Sequence, residues 1–128
     1  MLTTQYDILV ATLYTTLFIV LNYYKVKRRI YLVQGYETDF FPYRDIERGI
    51  AEKTYSIHSV LEYITISKWC ETWLKEKYRQ KPVFVPNGIS LNSFKEHKRD
   101  LNKTKIRIII EGNSLSLKKN VHELPRKT

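Results

Sequence analysis

Short apolar runs and longer amphipathic segments alternate along this chain, and the alternation predicts its elements. Tyr6–Ala11 reads as a buried strand, and Thr12–Tyr24 as a short helix with Thr12 at its N-cap. Arg29–Val33 (RIYLV), rich in β-branched and aromatic residues, predicts a second strand. Gln34-Gly35-Tyr36-Glu37 follows as a loop, and Pro42 stands just ahead of a helix over Arg44–Ser56. Helical spacing puts Ile46, Ile50, Ala51 and Thr54 on one face of that helix. Tyr63–Ile66 is again strand-like, and Ser67 can cap a helix over Lys68–Gln80. The apolar stripe of this helix runs through Trp69, Cys70, Trp73, Leu74, Lys77 and Tyr78, with Glu71 and Lys75 paired on its solvent side. Pro82 stops it, Val83–Val85 makes a short strand, and Pro86-Asn87-Gly88 is a turn.

Residues 92–105 are polar and charged, and Ile106–Ile110 restarts as a strand that ends at Glu111-Gly112. Strands alternating with helices imply an α/β fold, a Rossmann-like parallel sheet with crossover helices. The apolar character of the runs predicts strands buried on both faces. The expected organisation is a first domain over residues 1–95, a linker over 96–104, and the start of a second domain over 105–128.

The uncharged run Ile8–Leu21 raises the question of a membrane span. It falls short of the roughly 20 apolar residues a spanning helix needs, and Thr12, Thr15 and Thr16 interrupt it. Its basic neighbours, Lys25, Lys27, Arg28 and Arg29, follow the run, whereas a signal peptide carries them in front. A buried strand and helix is therefore expected. The chain of 128 residues has 22 Lys+Arg against 13 Asp+Glu, a formal charge of +9, which favours anionic partners. Its 43% hydrophobic content excludes a disordered tail. Cys70 alone can form neither an internal disulfide nor a Cys-rich zinc site, and it reads as a small core residue. His58, His97 and His122 lack ligand spacing, so no metal is expected; Trp69 and Trp73 read as core. No helix-turn-helix, RNP or zinc-finger pattern supports a nucleic-acid partner.

Ligands of open parallel sheets sit at the carboxyl ends of the strands, and three loops fall there: Gln34–Asp39, Pro86–Ser90 and Gly112–Lys119. The first holds Glu37 and Asp39 beside Tyr36. A carboxylate there can take a proton from a hydroxyl or orient a sugar; the competing reading is a solvated loop acid. In the third loop Gly112 lets the backbone approach a phosphate at a helix start, and Lys119 adds a point charge. The competing reading there is an ordinary strand-to-helix turn.

In order and spacing these pieces resemble the GT-B glycosyltransferases of glycosyltransferase family 4, in the bacterial rhamnosyltransferase-like branch. The residues that carry the resemblance are Tyr31-Leu32-Val33-Gln34-Gly35-Tyr36-Glu37, Ala51-Glu52-Lys53-Thr54-Tyr55 and Ile64-Thr65-Ile66-Ser67-Lys68-Trp69. Val85-Pro86-Asn87-Gly88-Ile89 with Phe94, and Ile109-Ile110-Glu111-Gly112-Asn113 with Lys119-Asn120-Val121, continue it. Asn113 stands where many members have arginine, and Ser90 where aspartate is common. The downstream carboxylate motif that holds the donor is absent, as are the first strands of the N-terminal domain.

The resemblance implies two Rossmann-like domains with a cleft between them, and retaining transfer of a sugar from a nucleotide-sugar without a bound metal or other cofactor. Gln34, Gly35, Tyr36 and Glu37 would line the acceptor side, with Glu37 as the catalytic candidate. Asn87 and Gly88 would form the interdomain loop, and Gly112, Asn113 and Lys119 would meet the donor diphosphate. The expected partners are a nucleotide-sugar, a glycan or lipid-linked acceptor, and an acidic membrane surface. The expected role is surface polysaccharide or glycoconjugate synthesis at a cytoplasmic site, peripheral on the inner membrane face, with the 128-residue piece itself inactive. The alternative is a small basic membrane-associated protein without catalysis.

Overall fold

The computed structural model describes residues 4–95, and the chain divides into two compact units, Met1–Ile89 and Ser90–Thr128. The expected linker and second-domain strand lie outside the described residues. In the first unit the order is β1 (Tyr6–Ala11), α1 (Tyr14–Asn22), β2 (Val26–Val33), a 3-10 turn (Glu37–Phe40), α2 (Ile46–Thr54), β3 (Glu62–Thr65), α3 (Lys68–Tyr78) and β4 (Val83–Phe84). In the second, described as far as Lys95, the Ser93 and Phe94 amides donate to the Ser90 carbonyl.

The four strands form one parallel sheet in the order β1-β2-β3-β4. Tyr6 pairs with Val26, Ile30 with Glu62, and Ile64 with Val83. The α/β architecture expected from the alternating runs is thus present. Each strand lies beside its sequence neighbour, so right-handed crossovers deposit every helix on the same face. Side chains of a strand alternate between faces. Ala11, Tyr31, Val33 and Tyr63 turn to the helices, where they pack with Leu17, Val20, Leu74 and Tyr78.

Among the described residues the opposite face is covered only in part. Ile30 there is buried, but Ile8 and Val83 are exposed, and Val10 keeps 50% of its surface. Apolar strand composition reports that a residue sits in a sheet, and it does not say how many layers cover that sheet.

The helices are shorter than the hydrophobic pattern predicts. Thr12 does not cap α1; Leu13 holds the cap position, and Thr16 Oγ1 accepts from the Thr12 and Leu13 amides at 3.2 and 3.1 Å. Asp45 caps α2 by accepting from the Glu47 amide at 2.9 Å. Ser67 caps α3 as expected, accepting from the Cys70 amide at 3.1 Å. Ile46 and Trp69, both placed on buried stripes by spacing, are exposed. Each is one of the first two residues of its helix. Ala51, Thr54, Cys70, Leu74 and Tyr78 are buried as the stripes require. Glu71 takes both Lys68 and Lys75, at 2.8 and 2.7 Å. Among the described residues no helix is long and apolar enough to cross a membrane.

Candidate functional site

All four strands run the same way, so the loops that follow them open on one edge of the sheet. Gln34–Tyr36 follows β2, and Val85–Gly88 follows β4. One strand separates β2 from β4, which spaces the two loops by roughly 10 Å, two strand intervals. Gln34, Asn87 and Gly88 are exposed, and the Val85 amide donates to the Thr65 carbonyl at 2.8 Å, extending β4 toward the loop. Open space surrounds the positions a Cβ would take at Gly35 and Gly88.

Glu37 departs from the expected solvated loop acid. It opens the 3-10 turn and is 2% exposed. Its Oε2 accepts from the Tyr14 amide at 2.7 Å, and its Oε1 accepts from the Tyr31 hydroxyl at 3.0 Å. Its own amide donates to the Tyr55 hydroxyl at 2.8 Å. Tyr14 is the first residue of α1, so this carboxylate closes a helix start that no N-cap side chain serves. Burial pushes the Glu37 carboxyl above its ordinary value, against the bonds from Tyr14 and Tyr31. Both oxygens already hold donors, so the carboxylate acts first as a latch that ties the loop after β2 to α1. Asp39 is engaged too, by Arg48 at 3.0 Å, and the Arg48 guanidinium also donates to the carbonyls of Thr38 and Phe41.

Tyr36 is likewise tied down, in a cluster that sequence reasoning missed. Its hydroxyl lies 2.7 Å from that of Tyr78 and accepts from Lys77 Nζ at 2.6 Å. Lys77 also donates to Glu52 Oε1 at 2.6 Å, and the Tyr78 hydroxyl donates to the same oxygen at 3.1 Å. The Lys77 bond is the main reason the Glu52 carboxyl falls below its usual range. Behind this cluster the Tyr55 ring meets Tyr31, Tyr36, Trp73 and Tyr78 at centroid distances of 6.1, 5.6, 4.9 and 5.3 Å. Burial raises the Tyr31 and Tyr55 hydroxyls well above the ordinary tyrosine range, so both stay protonated hydrogen-bonding groups. One signal was available: Lys77 beside Tyr78 on an otherwise apolar stripe needs an anion from a neighbouring helix.

Thr38, next to Glu37, has a buried hydroxyl with no hydrogen-bond partner among the described residues. A buried unpaired hydroxyl costs about 1–3 kcal/mol. Thr38→Val keeps the shape and removes that cost, so we expect the urea midpoint to rise by the equivalent of about 1 kcal/mol. An unchanged or lower midpoint would mean that the hydroxyl is satisfied.

The structure therefore brings Tyr36 and Glu37 together against Tyr55 and leaves Gln34, Gly35, Asn87 and Gly88 along the edge. Gly112, Asn113 and Lys119 lie outside the described residues. No protein-family model, curated protein or solved structure matches this chain.

Proposed function

We propose that this chain carries the acceptor-side part of a GT-B glycosyltransferase that moves a sugar from a nucleotide-sugar to a glycan or lipid-linked acceptor. One observation carries the reading. In an all-parallel sheet, the two loops whose residues resemble the family, Gln34–Tyr36 and Val85–Gly88, open at the carboxyl edge where such folds bind ligands. The link from fold to chemistry is analogy, since one fold hosts many activities. In this reading Glu37 is a positioning residue, because its oxygens fasten the loop and its side chain is buried. The exposed Gln34 and the backbone at Gly35 meet the acceptor, and Lys119 meets the donor diphosphate.

Calorimetry of the full 128-residue chain with uridine, guanosine and thymidine diphosphates, and their common sugar conjugates, tests the reading. A charge-assisted contact is worth roughly 1.5–3 kcal/mol, so Lys119→Ala should weaken binding about tenfold to a hundredfold. Gln34→Ala, on the acceptor side, should leave nucleotide affinity unchanged. Failure of every nucleotide to bind, or binding indifferent to Lys119→Ala, would sink the proposal.

A further inference from the structure

We propose that a hollow at the amino edge of the sheet, between the turn that enters β3 and the segment that enters β4, binds a small organic phosphate monoester. This edge is the opposite of the one that carries the loops after β2 and β4, so the inference does not rest on the transferase reading.

The hollow has a volume of about 530 Å³, within the roughly 300–1,000 Å³ of small-molecule sites. Its two walls are chain segments that lead into neighbouring strands. His58, Ser59 and Leu61 precede β3, and Arg79, Gln80 and Lys81 precede β4. Ile64 and Val83, partners across β3 and β4, join Leu61 in giving the hollow apolar surface.

The backbone of both walls is strained and fastened. Three described residues other than glycine take the left-handed conformation, and two of them, Ser59 at φ 64° and Arg79 at φ 54°, line this hollow. A side chain makes that conformation costly, and glycine is the usual residue at the helix-ending position that Arg79 holds. The Arg79 amide donates to the Lys75 carbonyl at 3.1 Å, and the Gln80 amide to that of Leu74 at 3.0 Å. The buried Gln80 side chain donates to the carbonyls of Tyr55 and Ile57 at 2.7 and 3.1 Å. On the other wall the Val60 amide donates to the His58 carbonyl at 2.8 Å, which closes a three-residue turn about Ser59. Both walls are therefore fixed before a ligand arrives, and strain kept where glycine would relieve it marks a functional position.

Charge selects the ligand. Arg28 holds Glu62 by bonds of 2.8 and 2.7 Å, so the one carboxylate that lines the hollow among the described residues is already neutralised. Arg79 and Lys81 are exposed and have no ion-pair partner among the described residues, which leaves two positive charges on one wall. A phosphate monoester carries a charge of about −1.5 to −2 at neutral pH and matches that excess. Exposed His58 on the other wall adds a ring that can donate to a phosphate oxygen. Inorganic phosphate alone would leave the apolar surface of Leu61, Ile64 and Val83 unused, so the phosphate is expected on an organic body.

The test is a titration of the full 128-residue chain, followed by amide NMR, with phenyl phosphate, phenyl sulfate and inorganic phosphate. Phenyl phosphate should shift the amides of Ser59, Leu61, Arg79 and Lys81. It should bind roughly tenfold more tightly than inorganic phosphate, which lacks the apolar body, or phenyl sulfate, which carries a single charge. Lys81→Ala should weaken binding roughly tenfold or more. Arg79→Gly should do the same while raising the melting temperature, because glycine relieves the left-handed backbone; loss of binding in a more stable protein is not unfolding. Lys53→Ala removes a positive charge from α2 and should leave the affinity unchanged. Three results overturn the proposal: phenyl phosphate shifts none of these amides, inorganic phosphate or phenyl sulfate binds as tightly, or Arg79→Gly keeps full affinity. So does a loss in Lys53→Ala equal to that in Lys81→Ala, because binding then follows diffuse charge.

Discussion

Replacing Tyr55 with alanine should unfold the first unit or leave it folded only marginally. The ring is fully buried and touches four other aromatic rings, drawn from β2, the loop after it, and α3. Truncating a buried aromatic side chain costs about 3–5 kcal/mol, a large share of the 5–15 kcal/mol that holds an ordinary domain together. The hydroxyl has a separate part, since it accepts from the Glu37 amide. Tyr55→Phe keeps the ring contacts and strands one buried N–H, for a cost of about 1–3 kcal/mol. Urea unfolding followed by circular dichroism reads both. Equal losses in the two variants would place the energy in the hydrogen bond, contrary to the packing argument.

Glu37→Ala should cost roughly 2–5 kcal/mol, because it leaves the Tyr14 amide and the Tyr31 hydroxyl without their acceptor. For a unit of this size that lowers the melting temperature by about 10 °C or more. Glu37→Gln retains an acceptor oxygen and should cost far less. The pair also reads the effect of pH. Burial holds the folded Glu37 carboxyl above its ordinary value of 4.5, so as pH rises the unfolded chain gives up this proton first. The contribution is fully present below the unfolded value and is lost as pH rises through the folded one. The unaltered protein should therefore lose stability relative to Glu37→Gln as pH rises from the ordinary value of 4.5 through the higher folded one. A difference that stays flat across that window would contradict the burial of an ionisable group.

The strands were legible because their signal is local. RIYLV and YITI announce themselves by composition, and the observed Val26–Val33 and Glu62–Thr65 differ from them mainly at the ends. Ser67 was legible for the same reason, since a cap is a relation between residues three apart. The exposure of Ile8 and Val10 on the second sheet face was not, because they look the same whether or not a second layer of helices covers them. Nor was the latch. Loop position placed Gln34–Glu37 at the carboxyl edge, but the partners of Glu37 are Tyr14, Tyr31 and Tyr55, which only the fold brings together. Lys77 on the apolar stripe called for an anion, but only the fold, by setting α3 against α2, identifies it as Glu52.

The order of the strands also bears on how the sheet is assembled. Partners such as Tyr6 and Val26, or Ile64 and Val83, lie about twenty positions apart, and those of β2 and β3 only somewhat farther. No strand has to wait for a distant one. Loop-closure entropy grows only slowly with length, so each pairing asks nearly the same of the chain as the one before. As the polypeptide leaves the ribosome, each new strand finds the edge left by its predecessor. Growth from the first strand toward the fourth therefore needs no rearrangement of pairs already made, and an arrest during synthesis would leave a shorter sheet with its existing pairs correct.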